Sequence, residues 1–146
     1  MGKRSLKIMR MKDYKPGSRE ILPGPEALFL CGMDSVSAKE PLLILAENAG
    51  FGRPRLVFCT ASMIGKPLSE ALNASNGEQP LDPEKLPPVC LFSGLEPAPI
   101  KEFLENFHTT GLPRPIFATA TGSNLNMTVR DLVLHLLEER KARTGR

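Results

Sequence analysis

"LFSGLEPAPIKEFLENF", residues 91–107, has a near-copy upstream in "LFLCGMDSVSAKEPLLIL", residues 28–45, and this repeat decides the fold. With an offset of 62, Gly32 falls on Gly94, Asp34 on Glu96, Lys39-Glu40 on Lys101-Glu102 and Leu42 on Leu104. With one residue dropped, Gly50 falls on Gly111, Arg53-Pro54 on Arg114-Pro115, Thr60 on Thr121 and Ser62 on Ser123. An offset of 60, which places Leu56-Val57 on Ile116-Phe117, is the competing register for this later part. Each half carries the same order of features. An apolar run ends in Gly, a helical segment follows, then a Gly and Arg-Pro turn, a second apolar run, a Thr/Ser-rich loop and another helical segment.

Local signals give these features their type. "ALFLCG" and "VCLFSG" are short apolar runs bounded by Pro and Gly, a pattern that predicts strands buried on both faces. In the second half, Glu96-Pro97 predicts a helix start, with Pro tolerated in the first turn. Ile100, Phe103, Leu104 and Phe107 then share one helical face, and Gly111 closes the segment. "PIFATAT" reads as the next strand, and Thr128 with Asp131 resembles a capping box ahead of the stripe Val129, Leu132, Val133 and Leu136. In the first half, Ser37 and Glu40 open the helix, Gly50 closes it, "RLVFCTA" is the strand, and Pro67 starts a shorter helix.

The pattern predicts an α/β fold of tandem βαβα units with mostly parallel strands, because a crossover through a helix returns the chain to the same sheet. One such unit alone has little core. Two units packed about a pseudo-twofold, through a shared four-stranded sheet or a helical seam, would form an intrachain pseudo-dimer, the covalent counterpart of a homodimer. The expected organisation is a basic N-terminal segment at 1–24, a first unit at 25–73, a Pro-rich linker at 74–88 with a turn near Asp82–Leu86, and a second unit at 89–146.

Composition bounds the class. The chain has 146 residues, of which 41% are hydrophobic and 24% charged, as in globular proteins with a real core. No apolar run reaches the roughly 20 residues of a membrane span, and the basic start lacks the apolar stretch of a secretory signal. A cytoplasmic location is the expectation, with no membrane contact. Cys31, Cys59 and Cys90 sit inside apolar runs, which fits reduced buried thiols better than a disulfide frame or a zinc site. The net charge of +3 is uneven: residues 1–20 carry +5, residues 138–146 carry +2, and the body between them is left at −4. A solvated basic tail is the ordinary outcome, and a nucleic-acid contact through it is the weaker one. With one Tyr and no Trp, platforms for base stacking are scarce.

"LFSGL", the helix with Phe103 and Leu104, the "GLPRP" turn, Thr121, Asn124, Thr128 and "DLVLHLLEER" together resemble the bacterial domain of unknown function 3783 family over residues 89 to about 141. In that family a Thr, an Asn and a Trp precede the final helix, and Met127 stands here at the Trp position. The first half is a more diverged copy. The resemblance implies a fold and carries no activity.

Ligands of α/β sheets sit at the strand ends, where Thr60, Ser62, Thr121, Ser123 and Asn124 converge as candidate ligand-binding residues. Hydroxyls and amides at a helix start hold phosphates or carboxylates, and the same residue types cap helices and close loops. "IGKPL" has a Gly-Lys pair but lacks the upstream Gly and the Ser/Thr of a phosphate-binding loop. Glu105/His108 and His135/Glu138 have an i, i+3 spacing found in iron proteins, but the further carboxylates such metals need are missing. Neither Cys31 nor Cys59 has a His at fixed spacing, and no paired carboxylates recur in both halves. No metal, cofactor or catalytic residue is assigned. The preferred expectation is a non-catalytic interaction or regulatory module with an unidentified protein partner or a second copy of itself. The alternative is a small anionic-ligand binding protein, or an enzyme, using the Thr/Ser/Asn loops.

Overall fold

The computed structural model describes residues 20–75, 79–82 and 85–144, with backbone alone at the last two. The basic run at 1–19, on which the tail and nucleic-acid expectations fall, lies outside the described residues. Four strands, β1 (Ala27–Cys31), β2 (Leu56–Phe58), β3 (Val89–Ser93) and β4 (Ile116–Thr119), form one sheet in the order β2-β1-β3-β4. β1 runs parallel to β2 and β3 parallel to β4, whereas β1 and β3 meet antiparallel at the centre. The helices are α1 (Ser35–Ala49), α2 (Leu68–Ala71), α3 (Ile100–Glu105) and α4 (Val129–Thr144). Short 3₁₀ turns occupy Ala61–Met63, Phe107–Thr110 and Asn124–Asn126. The protein is therefore α/β with mostly parallel strands.

Every residue of β1, β3 and β4 is buried, so their apolar runs serve two cores, with alternate side chains facing opposite sides of the sheet. On one face Leu28, Leu30, Phe58, Cys90, Phe92 and Phe117 pack with Leu42 and Leu45 of α1 and with Ile100, Phe103 and Phe107. Aromatic rings dominate this side: Phe92 and Phe103 meet edge to face at 5.3 Å, as do Phe107 and Phe117. On the other face Phe29, Cys31, Val57, Cys59, Leu91 and Ala118 pack with Leu68 of α2 and with Val129, Leu132 and Leu136 of α4. The two stripes expected on α3 and α4 are the residues that these cores bury.

The two parallel strand pairs can be compared residue by residue. Leu28 pairs with Leu56, and Cys90, 62 positions after Leu28, pairs with Phe117. Leu56 and Phe117, 61 positions apart, thus hold equivalent places in the two parallel pairs. At the sheet centre Phe29 faces Leu91, a residue 62 positions on. The flanking pairs, Ala27 with Ser93 and Cys31 with Val89, exchange under the same offset.

Two helix starts differ from expectation. α3 begins at Ile100 rather than at Glu96-Pro97. Ile100 N–H first closes a tight turn on the Pro97 carbonyl, and regular bonding begins with Phe103 N–H on Pro99; neither proline has a backbone donor to contribute earlier. α1 begins two residues before Ser37, because Asp34 accepts from Val36 N–H at 3.2 Å and takes the N-cap position. The Ser37 hydroxyl instead donates to the Asp34 carboxylate at 3.2 Å. Gly50 ends α1 in the left-handed region at φ 115°, with its N–H on the Ala46 and Glu47 carbonyls.

Candidate functional site

Both Thr/Ser loops leave the C-terminal ends of edge strands, β2 and β4, and turn at once into a 3₁₀ segment. In the first, Thr60 Oγ1 and Ser62 Oγ lie 3.1 Å apart. In the second, Thr121 Oγ1 and Ser123 Oγ lie 3.3 Å apart. The second loop is locked further by a reciprocal pair: Thr121 N–H donates to Asn124 Oδ1 at 2.7 Å, and Asn124 N–H donates to Thr121 Oγ1 at 3.0 Å. The Asn124 amide also donates to the Thr119 carbonyl at 3.0 Å. Hydroxyls and amides of the loop thereby satisfy backbone groups that the strand end leaves open.

A shallow cleft adjoins each loop. One, of about 180 Å³, is lined by Thr60, Ser62, Lys66, Glu70 and Ser75. The other, of about 100 Å³, is lined by Thr121, Ser123, Asn124, Met127, His135 and Glu139, over a floor that includes Ala118, Leu132 and Leu136. Thr60 and Thr121 thus belong to separate clefts, so the five candidate residues divide two and three. Both clefts are smaller than the about 300–1,000 Å³ common for small-molecule sites.

Three residues that sequence spacing did not single out for a site are Lys66, Glu70 and Glu139. His135 Nε2 meets Glu139 Oε2 at 3.2 Å, one turn along α4, and so pairs with Glu139 rather than Glu138. An i, i+4 spacing on a helix with its apolar stripe already assigned was the available signal. Glu105 is engaged by Lys101 at 3.0 Å, and His108 lies exposed in the 3₁₀ turn before Gly111. No group of three His, Cys, Asp or Glu side chains able to hold a metal ion occurs among the described residues.

The three thiols are free and buried. Cys31 and Cys59 occupy adjoining positions on β1 and at the end of β2, beyond the Leu30–Phe58 pair. The hydrogen bond to Cys59, followed by burial, raises the Cys31 thiol well above its ordinary range. The same bond lowers Cys59, against the opposing effect of burial. Burial alone raises Cys90. Cys31 and Cys90, held protonated in the core, are poor nucleophiles.

The second half runs strand, helix, 3₁₀ turn, strand, the Thr121–Asn124 loop with its 3₁₀ turn, and a final helix. Residues 88–142 match the family described as Domain of unknown function (DUF3783). The match covers a little over a third of the chain. It takes in β3, α3, β4 and the Thr121–Asn124 loop with its cleft, whereas the Thr60 cleft lies outside it. The chain matches no curated protein and no solved structure. No described helix is long and apolar enough to cross a membrane.

Proposed function

We propose that the chain is a tandem pair of βαβα units, residues 25–73 and 89–146 joined by 74–88, packed about a pseudo-twofold and acting as a non-catalytic interaction or regulatory module. One observation supports this most: the polar side chains at the strand ends are bonded to one another and to backbone, as in the Thr121–Asn124 reciprocal pair at 2.7 and 3.0 Å. Groups spent in this way build a rigid shelf and do not converge on a shared point where a substrate atom would sit. Localisation in the cytoplasm is part of the same reading.

A thermal-shift screen against phosphates, carboxylates, nucleotides and sugars tests it. A bound ligand at a hundredfold excess over its Kd stabilises the native state by about 2.7 kcal/mol. The module reading expects no dose-dependent shift from any of them. A shift that Ser123→Ala or Lys66→Ala removes would contradict it.

The second reading, a small anionic ligand at the strand ends, is favoured by the cleft that places Lys66 beside Thr60 and Ser62. A cation next to two hydroxyls suits a single phosphate or carboxylate. That reading expects the same screen to give a hit that weakens with rising salt.

A further inference from the structure

We propose that Cys31 and Cys59 form an oxidation site: a peroxide converts this thiol pair to a disulfide that ties β1 to the end of β2, while Cys90 stays a free thiol. This chemistry needs neither the twofold packing nor the partner proposed above.

The sheet brings the two residues to one step and one face. β1 and β2 run parallel with Leu28 on Leu56, Phe29 on Val57 and Leu30 on Phe58, and Cys31 and Cys59 come next along both chains. The Cys59 N–H bonds the Leu30 carbonyl at 2.8 Å, so the ladder still holds there. Side chains alternate between the faces of a sheet, and Phe29, Val57, Cys31 and Cys59 accordingly share the core that α2 and α4 cover. Neighbouring strands stand about 4.7–4.9 Å apart, within the range of about 4.4–6.8 Å between Cα atoms that a disulfide spans. Cys90 faces the other way. It pairs with Leu30 and packs in the opposite core with Phe92 and Phe117, so the sheet itself separates it from the pair.

The two thiols are not equivalent. The bond between them lowers Cys59, with burial opposing, and raises Cys31 well above the ordinary range, with burial adding to the rise. Cys59 is therefore the attacking thiol and Cys31 the resolving one. Cys59 also lies nearer to solvent. Its Sγ is 3.7 Å from the carbonyl oxygen of Thr60, and Thr60 lines the cleft of about 180 Å³ together with Met63 and Ala71, which pack in the same core as Cys59. Cys59 Sγ takes one oxygen from hydrogen peroxide, the O–O bond breaks, and a sulfenic acid forms as water leaves. Cys31 Sγ then attacks that sulfur, the S–O bond breaks and a second water leaves. Two thiols and one peroxide thus give one disulfide and two waters, the sulfurs being oxidised and the peroxide reduced.

The test is exposure of the folded full-length chain to hydrogen peroxide, followed by unfolding in N-ethylmaleimide and mass spectrometry of the intact chain and its peptides. Without peroxide, all three cysteines are expected to take up maleimide, in keeping with their free state. With it, the chain is expected to lose two hydrogens, to take up maleimide at Cys90 alone and to yield a linked peptide pair, Cys31 with Cys59. Dithiothreitol is expected to restore uptake at all of them. Cys31→Ser is expected to stop at the Cys59 sulfenic acid, trapped by dimedone, and Cys59→Ser to keep both remaining thiols. A wild-type chain that still takes up maleimide at every cysteine after peroxide overturns the proposal. So does a link through Cys90, a link between chains, or oxidation of Cys59 beyond sulfenic acid with Cys31 still free. Each of these is read on the wild-type chain and decides the matter even where a serine variant fails to fold.

Discussion

Pro67 and Thr128, 61 positions apart, sit opposite one another in an antiparallel bridge, flanked by the hydrogen bonds Leu68 N–H to Met127 and Val129 N–H to Lys66. This bridge lies where the two strand-end loops hand over to their helices. It repeats, at a second place, the relationship that Phe29 and Leu91 have at the centre of the sheet. The two places have residue separations of 61 and 62.

The paired glycines give the first prediction. A Cβ on Gly32 would meet the Leu86 and Pro87 carbonyl oxygens at 2.6 Å, and one on Gly94 would meet the Gly24 carbonyl oxygen at 2.5 Å. Left-handed backbone costs about 1–2 kcal/mol for a non-glycine residue, and a forced overlap adds about 1–3 kcal/mol. Gly32→Ala and Gly94→Ala are each expected to lose about 2–5 kcal/mol in urea unfolding, by similar amounts, from those two costs. Gly111→Ala, at φ 74° with open space around it, is expected to lose only the first. A large effect at one paired glycine and none at the other would contradict the tandem reading.

Loop closure gives the second. Asn124→Ala leaves the Thr121 N–H and the Thr119 carbonyl without their partners, at an expected cost of about 1–3 kcal/mol. Ser123→Ala removes an exposed hydroxyl with one hydroxyl neighbour and is expected to stay within about 0.5 kcal/mol. Equal effects of the two changes on the denaturation midpoint would mean that Asn124 does not hold the loop.

Aromatic packing gives the third. Phe103 is fully buried between Phe51, Phe92, Phe107 and Phe117, so Phe103→Ala is expected to cost about 3–5 kcal/mol. Leu134, on the outer side of α4, is 53% exposed, and Leu134→Ala is expected to change stability by less than about 0.5 kcal/mol. Calorimetric melting of both variants checks the assignment of inner and outer faces.

The thiols give the fourth, and its sign follows from linkage. Burial raises Cys90, so the native chain keeps a proton that the unfolded chain loses above the ordinary thiol value of about 8.5. The native state then binds more protons, and stability falls as pH rises past that value. Cys31 acts in the same direction and Cys59 in the opposite one. Between pH 8 and pH 10, a range set around the ordinary thiol value, the urea midpoint of wild type is expected to fall more steeply than that of Cys90→Ala. Parallel slopes would show that Cys90 is not held protonated.

Much of this architecture was legible in the residues. The spacing of 62 was visible in Gly32 and Gly94, at each of which a Cβ would run into the facing backbone. The stripes Ile100–Phe107 and Val129–Leu136 were legible because each faces one of the two cores. The later register was ambiguous because Leu56-Val57 and Ile116-Phe117 are interchangeable as apolar dipeptides. The start of α3 was missed because Pro97 and Pro99 suit a first helical turn and an isolated turn equally well. The division of the five strand-end residues between two clefts was hidden for a different reason. Local spacing places Thr60 and Thr121 at strand ends but says nothing of how far apart those ends stand, and β2 and β4 turn out to be opposite edges of the sheet.

The central claim is that the halves meet through β1 and β3 and again at the Pro67–Thr128 bridge. Cross-strand nuclear Overhauser contacts in the isotopically labelled protein test it most directly. Contacts between Phe29 and Leu91, and between the Leu68 amide and Met127, are expected together in the monomer. Contacts that pair β1 with β4, or an absence of any contact between residues 25–73 and 89–144, would contradict it.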